Sequence, residues 1–181
     1  MTVSTMRFHC LEPKELEAFL ERRRATPAFG RDMSLAENLG AILRKANEFV
    51  PSEAGSILLD NPNAKRSDRA RNSLTFIASF GEASGGLLGK QISAVDGIAG
   101  HVYREGRSYT ASDPSDDELF YPMFDHANEY ETRSLVAIPI RIEQEVCGVL
   151  ELVNRKNTGE GYSQHDVNLL EIFAGFISVS I

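Results

Sequence analysis

Two apolar, β-prone runs lie close together toward the carboxyl end, SLVAIPIRI at 134–142 and VCGVLELVN at 146–154, separated by Glu143 to Glu145. So short a link leaves no room for a crossover helix, and the runs must pair antiparallel as a hairpin. Their length and apolar character predict the centre of a sheet. Upstream, SILLD at 56–60 and LTFIASF at 74–80 add two shorter runs, with a polar, basic stretch from Asn61 to Asn72 as their loop. Gln91–Val95 and Arg107–Ser112 complete the strands, the second running into the acidic turn DPSDDE.

Helical patterning frames these runs. Pro13 opens a charged segment with Leu16, Phe19 and Leu20 at helical spacing, which predicts a helix over 13–24. Ser34 and Glu37 form a capping box ahead of Leu35, Leu39, Ile42, Leu43, Ala46 and Phe49, predicting a helix over 35–50. Asp96 is placed to cap a short helix, GIAGHVYRE, that Gly106 ends. Residues 121–131 have room for a short helix. Ser163 and Asp166 open the last one, with Val167, Leu170, Phe173, Ala174 and Ile177 on one face. It runs to Ile181 with no stop signal, which suggests a further segment or a partner helix. The expected class is α+β, an antiparallel sheet with helices on its faces. Residues 1–33 are expected to be a helical extension or linker and 34–181 the domain proper.

Composition narrows the function. With 19 Lys+Arg against 26 Asp+Glu, the net charge of -7 sets a field that repels nucleic acid and anionic membrane surfaces. The amino terminus has no apolar signal core, and the longest strongly apolar stretch, Val146–Val153, is broken by Glu151. A soluble, cytoplasmic protein is expected. Cys10 and Cys147 are too few and too far apart for a disulfide scaffold or a metal cluster. No P-loop, GxSxG elbow, HExxH or kinase signature is present. His9, His101, His126 and His165 are scattered, and Asp113, Asp116, Asp117 and Glu118 lack the spacing of a calcium loop, so neither set predicts a metal site.

Two features invite a ligand. Gly97 and Gly100 clear side chains from the start of the GIAGHV helix, leaving the amides near Ile98 and Ala99 approachable by an anion. The same glycines also suit a tight turn with close packing. Glu151 interrupts an apolar strand on the face shared by Cys147, Val149 and Val153, where it either reaches solvent at the sheet rim or accepts hydrogen bonds in a pocket.

The order GSILLD, FG, DGIAGHVYREG, DELFY, TRSLVAIPI and GVLELVNRK resembles a GAF domain, of the cyclic-nucleotide-binding type in phosphodiesterases and bacterial adenylyl cyclases. The resemblance covers roughly residues 35–181. It implies a six-stranded antiparallel sheet with helices on one side and a ligand pocket on the other, and a regulatory rather than catalytic role. It implies that the amides of Ile98 and Ala99 hold a cyclic phosphate, that Phe80 stacks on the purine, and that Tyr121 belongs to a segment covering the ligand. It further implies pocket roles for Asp125, Asn128, Thr132 and Glu151. The family's second signature stands here as Asn154, Arg155, Tyr162 and Asp166, with Arg155 and Asp166 as a structural salt bridge. Gly81 replaces a base-reading Asp of the best-studied binders, and Gly55 replaces a Ser.

The leading expectation is therefore a sensor of a cyclic purine nucleotide, cyclic AMP or cyclic GMP, with no catalytic residue, cofactor or metal. It would signal through its terminal helices to an output domain or to the partner in a homodimer. The alternative is a GAF-like dimerisation module with another small ligand or none. A free methionine sulfoxide reductase on the same fold needs a cluster of pocket cysteines, which Cys147 on a strand and Cys10 ahead of the domain do not supply.

Overall fold

In a computed structural model of the chain, the residues described are 35–81, 86–121, 131–157, 159 and 161–181. The expected helices over 13–24 and 121–131, and Ser34 of the first capping box, fall wholly or mainly outside these. The elements run α1 (Leu35–Phe49), β1 (Ser52–Asp60), β2 (Ser73–Phe80), β3 (Gln91–Ser93), α2 (Gly97–Glu105), β4 (Tyr109–Ala111), β5 (Leu135–Ile142), β6 (Glu145–Arg155) and α3 (Gln164–Ser178). The strands form one six-stranded sheet in the order β3-β2-β1-β6-β5-β4, and every pairing is antiparallel. This is the α+β class expected, with the 11-residue β6 between β1 and β5.

The β5–β6 hairpin is tighter than its three polar residues suggest. Ile142 pairs with Glu145, leaving Glu143 and Gln144 as a two-residue turn, and Glu143 takes φ 55, the left-handed region such turns require. β1 begins four residues before SILLD, because side chains secure its polar start. The Ser52 amide donates to Asn47 Oδ1 at 2.7 Å, and Tyr162 Oη donates to Ser52 Oγ at 2.9 Å.

The helices do not all share one face. α1 and α3 cover one side, burying Leu39, Leu43, Leu150, Leu152, Leu170 and Ile177 in one cluster. α2 packs on the other, where Leu58, Leu74, Phe76, Ile98, Val102, Tyr103 and Val149 form a second. α2 therefore lies on the side that the resemblance assigns to the ligand pocket, with α1 and α3 on the other.

Two bulges decide which side chains meet which cluster. In β2 the register moves from Ile57↔Ala78 to Leu58↔Phe76, so Ile77 is an extra residue. In β6 it moves from Ile140↔Gly148 to Arg141↔Val146, so Cys147 is extra. One added residue reverses the facing of everything beyond it. Phe80 thus packs with the α1/α3 cluster, as does Cys147, which does not share the face of Val149 and Val153.

Candidate functional site

The site is built around the amino terminus of α2. Gly97 enters the helix at φ 68, a conformation glycine adopts without strain. Gly100 lies so close to β3's exit that a Cβ there would stand 2.7 Å from the Ala94 carbonyl oxygen. The reading of these glycines as serving a tight turn with close packing therefore holds: Gly97 serves the turn and Gly100 the packing. Asp96 occupies the capping position but its side chain makes no capping hydrogen bond, contrary to the role its sequence position suggests. The first-turn amides of a helix have no carbonyl of their own to reach, and with the helix dipole they favour negative charge.

The rest of α2 is held firmly. Tyr103 is fully buried; its Oη donates to Asp60 Oδ2 at 2.7 Å and accepts from Asn72 Nδ2 at 3.0 Å. Lys65 joins the same carboxylate oxygen at 3.0 Å. Burial first, and then Asp60, hold the Tyr103 phenol far above its ordinary range. Gly106 ends the helix at φ 67, its amide on the Val102 carbonyl.

Facing the start of α2 is a cavity of about 60 Å³. Its wall includes Phe76 and Ile92 from β2 and β3, Asp96 to Ala99 from the turn and helix, and Phe120, Tyr121, Leu135 and Glu151. Ile98 and Ala99 are buried, and Tyr121 is 47% exposed. A Cβ on Gly97 would stand 3.4 Å from Tyr121 Cβ, so the Tyr121 side chain starts beside the bare backbone at the helix start. Across the sheet, Ser56 pairs with Ser79 on one side and with Glu151 on the other. These three polar residues share the face of Leu58, Phe76 and Val149. The cavity therefore has backbone donors, with Asp96 beside them, on one side and the Glu151 carboxylate on the other. A ligand with an anionic group at one end and a hydrogen-bond donor at the other suits that polarity.

Ile98, Ala99, Tyr121 and Glu151, four of the residues singled out in the sequence, converge here. The structure takes Glu151 off the sheet rim and into the cavity lining. Thr132 is buried just before β5 and does not line the cavity. Asp125 and Asn128 lie outside the described residues. Phe80 is the departure: the Ile77 bulge turns it to the α1/α3 face, and Phe76, two residues before the flip is complete, is the cavity's aromatic from that strand. The same geometry explains Gly55, whose missing Cβ would stand 2.6 Å from the Phe80 ring and 2.4 Å from Leu152. Gly81, at φ 111, has Ala54 Cβ 2.7 Å from its missing one. A side chain at Gly81 would be strained and would meet Ala54 and backbone, and one at Gly55 would require Leu152 and Phe80 to shift.

Away from the cavity, Arg155 grips Asp166 with Nη2 on Oδ1 at 3.1 Å and Nε on Oδ2 at 3.3 Å. Burial pushes the Asp166 carboxyl up, but the hydrogen bonds from Arg155 and Ser163 outweigh it and hold it below the usual range. Asp166 also completes a capping box with Ser163 at the start of α3. Burial, with Asp60 adding to it, pushes the Cys147 thiol up to about 11, and its Sγ faces the Ile140 carbonyl at 3.4 Å. Such a thiol carries almost no thiolate at neutral pH. Among the described residues no group of three His, Cys, Asp or Glu is placed to hold a metal ion, and no helix is long and apolar enough to cross a membrane.

The family model of the GAF domain matches residues 34–181. The chain belongs to the GAF family. Over 86 residues this GAF domain is 29% identical to the dual 3',5'-cyclic-AMP and -GMP phosphodiesterase 11A of Takifugu rubripes, a match covering 47% of the chain and 10% of that protein. A dual phosphodiesterase 11 of Drosophila melanogaster is 31% identical over 86 residues, covering 47% and 6%. The matched region is thus a tenth or less of those proteins' length. Among solved structures, the GAF domain from an Acinetobacter phosphoenolpyruvate-protein phosphotransferase aligns with TM-score 0.66 at 16% identity, covering 94% of each chain. A type II free methionine-R-sulfoxide reductase from Thermoplasma acidophilum aligns at 0.63 and 16%, covering 81% of this chain and 94% of its own. At these identities the structural likeness shows the fold.

Proposed function

We propose that this GAF domain is a regulatory sensor that binds a cyclic purine nucleotide at the α2 cavity and passes the binding event to α1 and α3. The observation that carries the reading is the amino terminus of α2, which lacks a side-chain cap and faces Glu151 across the cavity. The first-turn amides of Ile98 and Ala99 receive the cyclic phosphate. Glu151 accepts from a base or ribose donor, with Ser56 and Ser79 beside it, and Phe76, Phe120 and Tyr121 supply the apolar and stacking surface. Asp125, Asn128 and Thr132 are assigned to the ligand on the phosphodiesterase resemblance alone.

Ligand sites commonly enclose about 300 Å³ or more, so a 60 Å³ cavity must open to admit a nucleotide. The half-exposed Tyr121 is the wall best placed to give way. β6 offers the route outward, because Glu151 lines the cavity while Leu150 and Leu152 on its reverse lie in the α1/α3 core. A ligand that binds the opened arrangement more tightly shifts the helices by that difference in affinity.

Thermal melts with cyclic AMP, cyclic GMP, their linear monophosphates and methionine sulfoxide test the reading. Ligand at 100 times its dissociation constant stabilises by about 2.7 kcal/mol, a rise of about 5 to 10 °C for a chain of this size. A rise with a cyclic nucleotide and not its linear form is the expected result; no rise with either cyclic form sinks it. A second reading, self-association through the terminal helices, rests on Phe49, Ile172, Phe176 and Val179, all more than half exposed. Sedimentation of wild type against Phe176→Glu tests it: a dimer that dissociates on substitution supports it, and a monomeric wild type ends it.

A further inference from the structure

β5 is only partly covered at its outer edge. β4 pairs with Leu135, Val136 and Ala137 alone, although β5 continues to Ile142. Past the end of β4 lies a cleft of about 670 Å³, a size at which small-molecule sites are common. One wall is a single stripe of α3, from Gln164 through Val167, Glu171 and Gly175 to Ser178. The other is the segment Gly106–Thr110 that leads from α2 into β4, and Pro139 and Arg141 of β5 complete it. None of these residues lines the α2 cavity.

The cleft is poorly made for an added strand. An incoming chain finds no amide donor at Pro139 and finds the Arg141 carbonyl already accepting from Ser178 Oγ, both of them ways in which a sheet edge is kept from pairing. What it offers instead is side-chain charge. Among the described residues, the exposed Arg107 guanidinium has neither hydrogen bond nor ion pair. Arg141 donates to carbonyls, that of Gly106 through Nη2 and that of Gln144 through Nη1 at 3.4 Å. Two guanidinium groups thus stand here without a carboxylate partner among the described residues, in a chain of net charge -7. Glu171 supplies one negative charge, its Oε1 accepting from Ser108 Oγ of the opposite wall at 2.8 Å. No aromatic ring is among the described residues that line the cleft, so nothing in it favours a stacked base.

We propose that this cleft is a binding site, separate from the α2 cavity, for a hydroxylated organic anion, with Arg107 and Arg141 taking its carboxylate or phosphate and Glu171 accepting from a hydroxyl. Guanidinium groups match carboxylate and phosphate alike, and a carboxylate that already holds one serine retains acceptor sites for a second donor. This site stands whatever the α2 cavity binds. Because one wall follows α2 and the other is α3, an occupant links the end of the cavity helix to the last helix.

NMR titration of the isotope-labelled full chain is the test, with citrate as the carboxylate source, glucose 6-phosphate as the phosphate source and inorganic phosphate as the bare ion. Saturable shifts at the amides of Arg107–Thr110 and Gln164–Ser178 are expected with citrate or glucose 6-phosphate, at lower concentration than with inorganic phosphate. Which of the two binds more tightly names the anionic group. Gly175→Gln is the decisive variant: a Cβ there meets nothing within 4 Å, so the side chain fills the cleft while the fold is kept. Its melting temperature is expected at or above wild type, since glycine is a poor helix residue. This variant and Arg107→Glu are each expected to weaken binding about tenfold or more, and Arg107→Lys to retain most of it.

No saturable shift with either organic anion overturns the site, as do shifts that survive Gly175→Gln. Equal affinity for inorganic phosphate also overturns it and means an adventitious ion only. Shifts confined to Gly97–Gly100 would assign the anion to the α2 cavity instead. Thermal melts of Gly175→Gln with cyclic AMP and cyclic GMP separate the two sites, and an unchanged response is expected. If wild type responds to neither nucleotide, the functional reading above fails, and the citrate and glucose 6-phosphate titrations still decide this one.

Discussion

The amino termini of α2 and α3 carry the same kind of residue to opposite ends. At α3, Ser163 and Asp166 satisfy each other's backbone donors and Arg155 neutralises the carboxylate. At α2, Asp96 stands in the place that Ser163 holds at α3, makes no side-chain cap, and leaves the first turn facing a cavity. The sealed end joins the strand β6 to the last helix, and the uncapped end meets a space lined by Phe76, Tyr121 and Glu151. An acid before a helix is thus not evidence of a cap; what its oxygen touches decides whether the turn is closed to an anion.

The largest break in that contrast is Arg155→Met. It leaves Asp166 buried without its cation, and removing one partner of a buried pair costs about 3 kcal/mol; a fall in melting temperature of about 6 to 12 °C is expected. Acid attacks the same pair. The native Asp166 binds its proton less readily than the unfolded chain, whose ordinary value is 3.8, so its contribution is complete above that pH and is lost as pH falls through the lower native value. Asp166→Asn should flatten this acid limb of the stability curve, measured by urea unfolding at stepped pH. Ser163→Ala removes one side of the box and should cost about 1 kcal/mol. The smallest effect belongs to Asp96→Ala, expected within about 0.5 kcal/mol because no capping bond is lost. The same change removes a negative charge from the cavity, so affinity for a cyclic nucleotide should rise. A cost for Asp96→Ala equal to that of Ser163→Ala would erase the contrast.

Much of the fold was legible because its signals are local. The close strand pair at 134–154, the capping residues Ser163 and Asp166, and Gly106 after GIAGHVYRE each follow from chemistry within a few residues. The facing of β2 and β6 was not legible. A period of two reads SLTFIASF as one continuous alternation, which puts Phe76 and Phe80 on the same side; the extra residue Ile77 separates them. Cys147 misleads in the same way, although Gly148 beside it was a usable signal, since an isolated glycine in a strand often marks a bulge or a close approach. A Cβ there would in fact stand 2.2 Å from the Leu58 carbonyl oxygen. The polar row of Ser56, Ser79 and Glu151 crosses three strands, and no spacing along the chain reveals it. Glu151 was visible as an anomaly, but its partners in the row were not.

The bulge at Cys147 also equips the domain with an internal clock. The thiol is 7% exposed in the α1/α3 core, so an alkylating reagent reaches it only when that core parts. In a Cys10→Ser background, the rate at which Cys147 is modified reads the opening of the helix layer directly. Slower modification on adding a nucleotide would register, without any attached dye, that an event at Glu151 on one side of β6 had tightened the side that faces the helices.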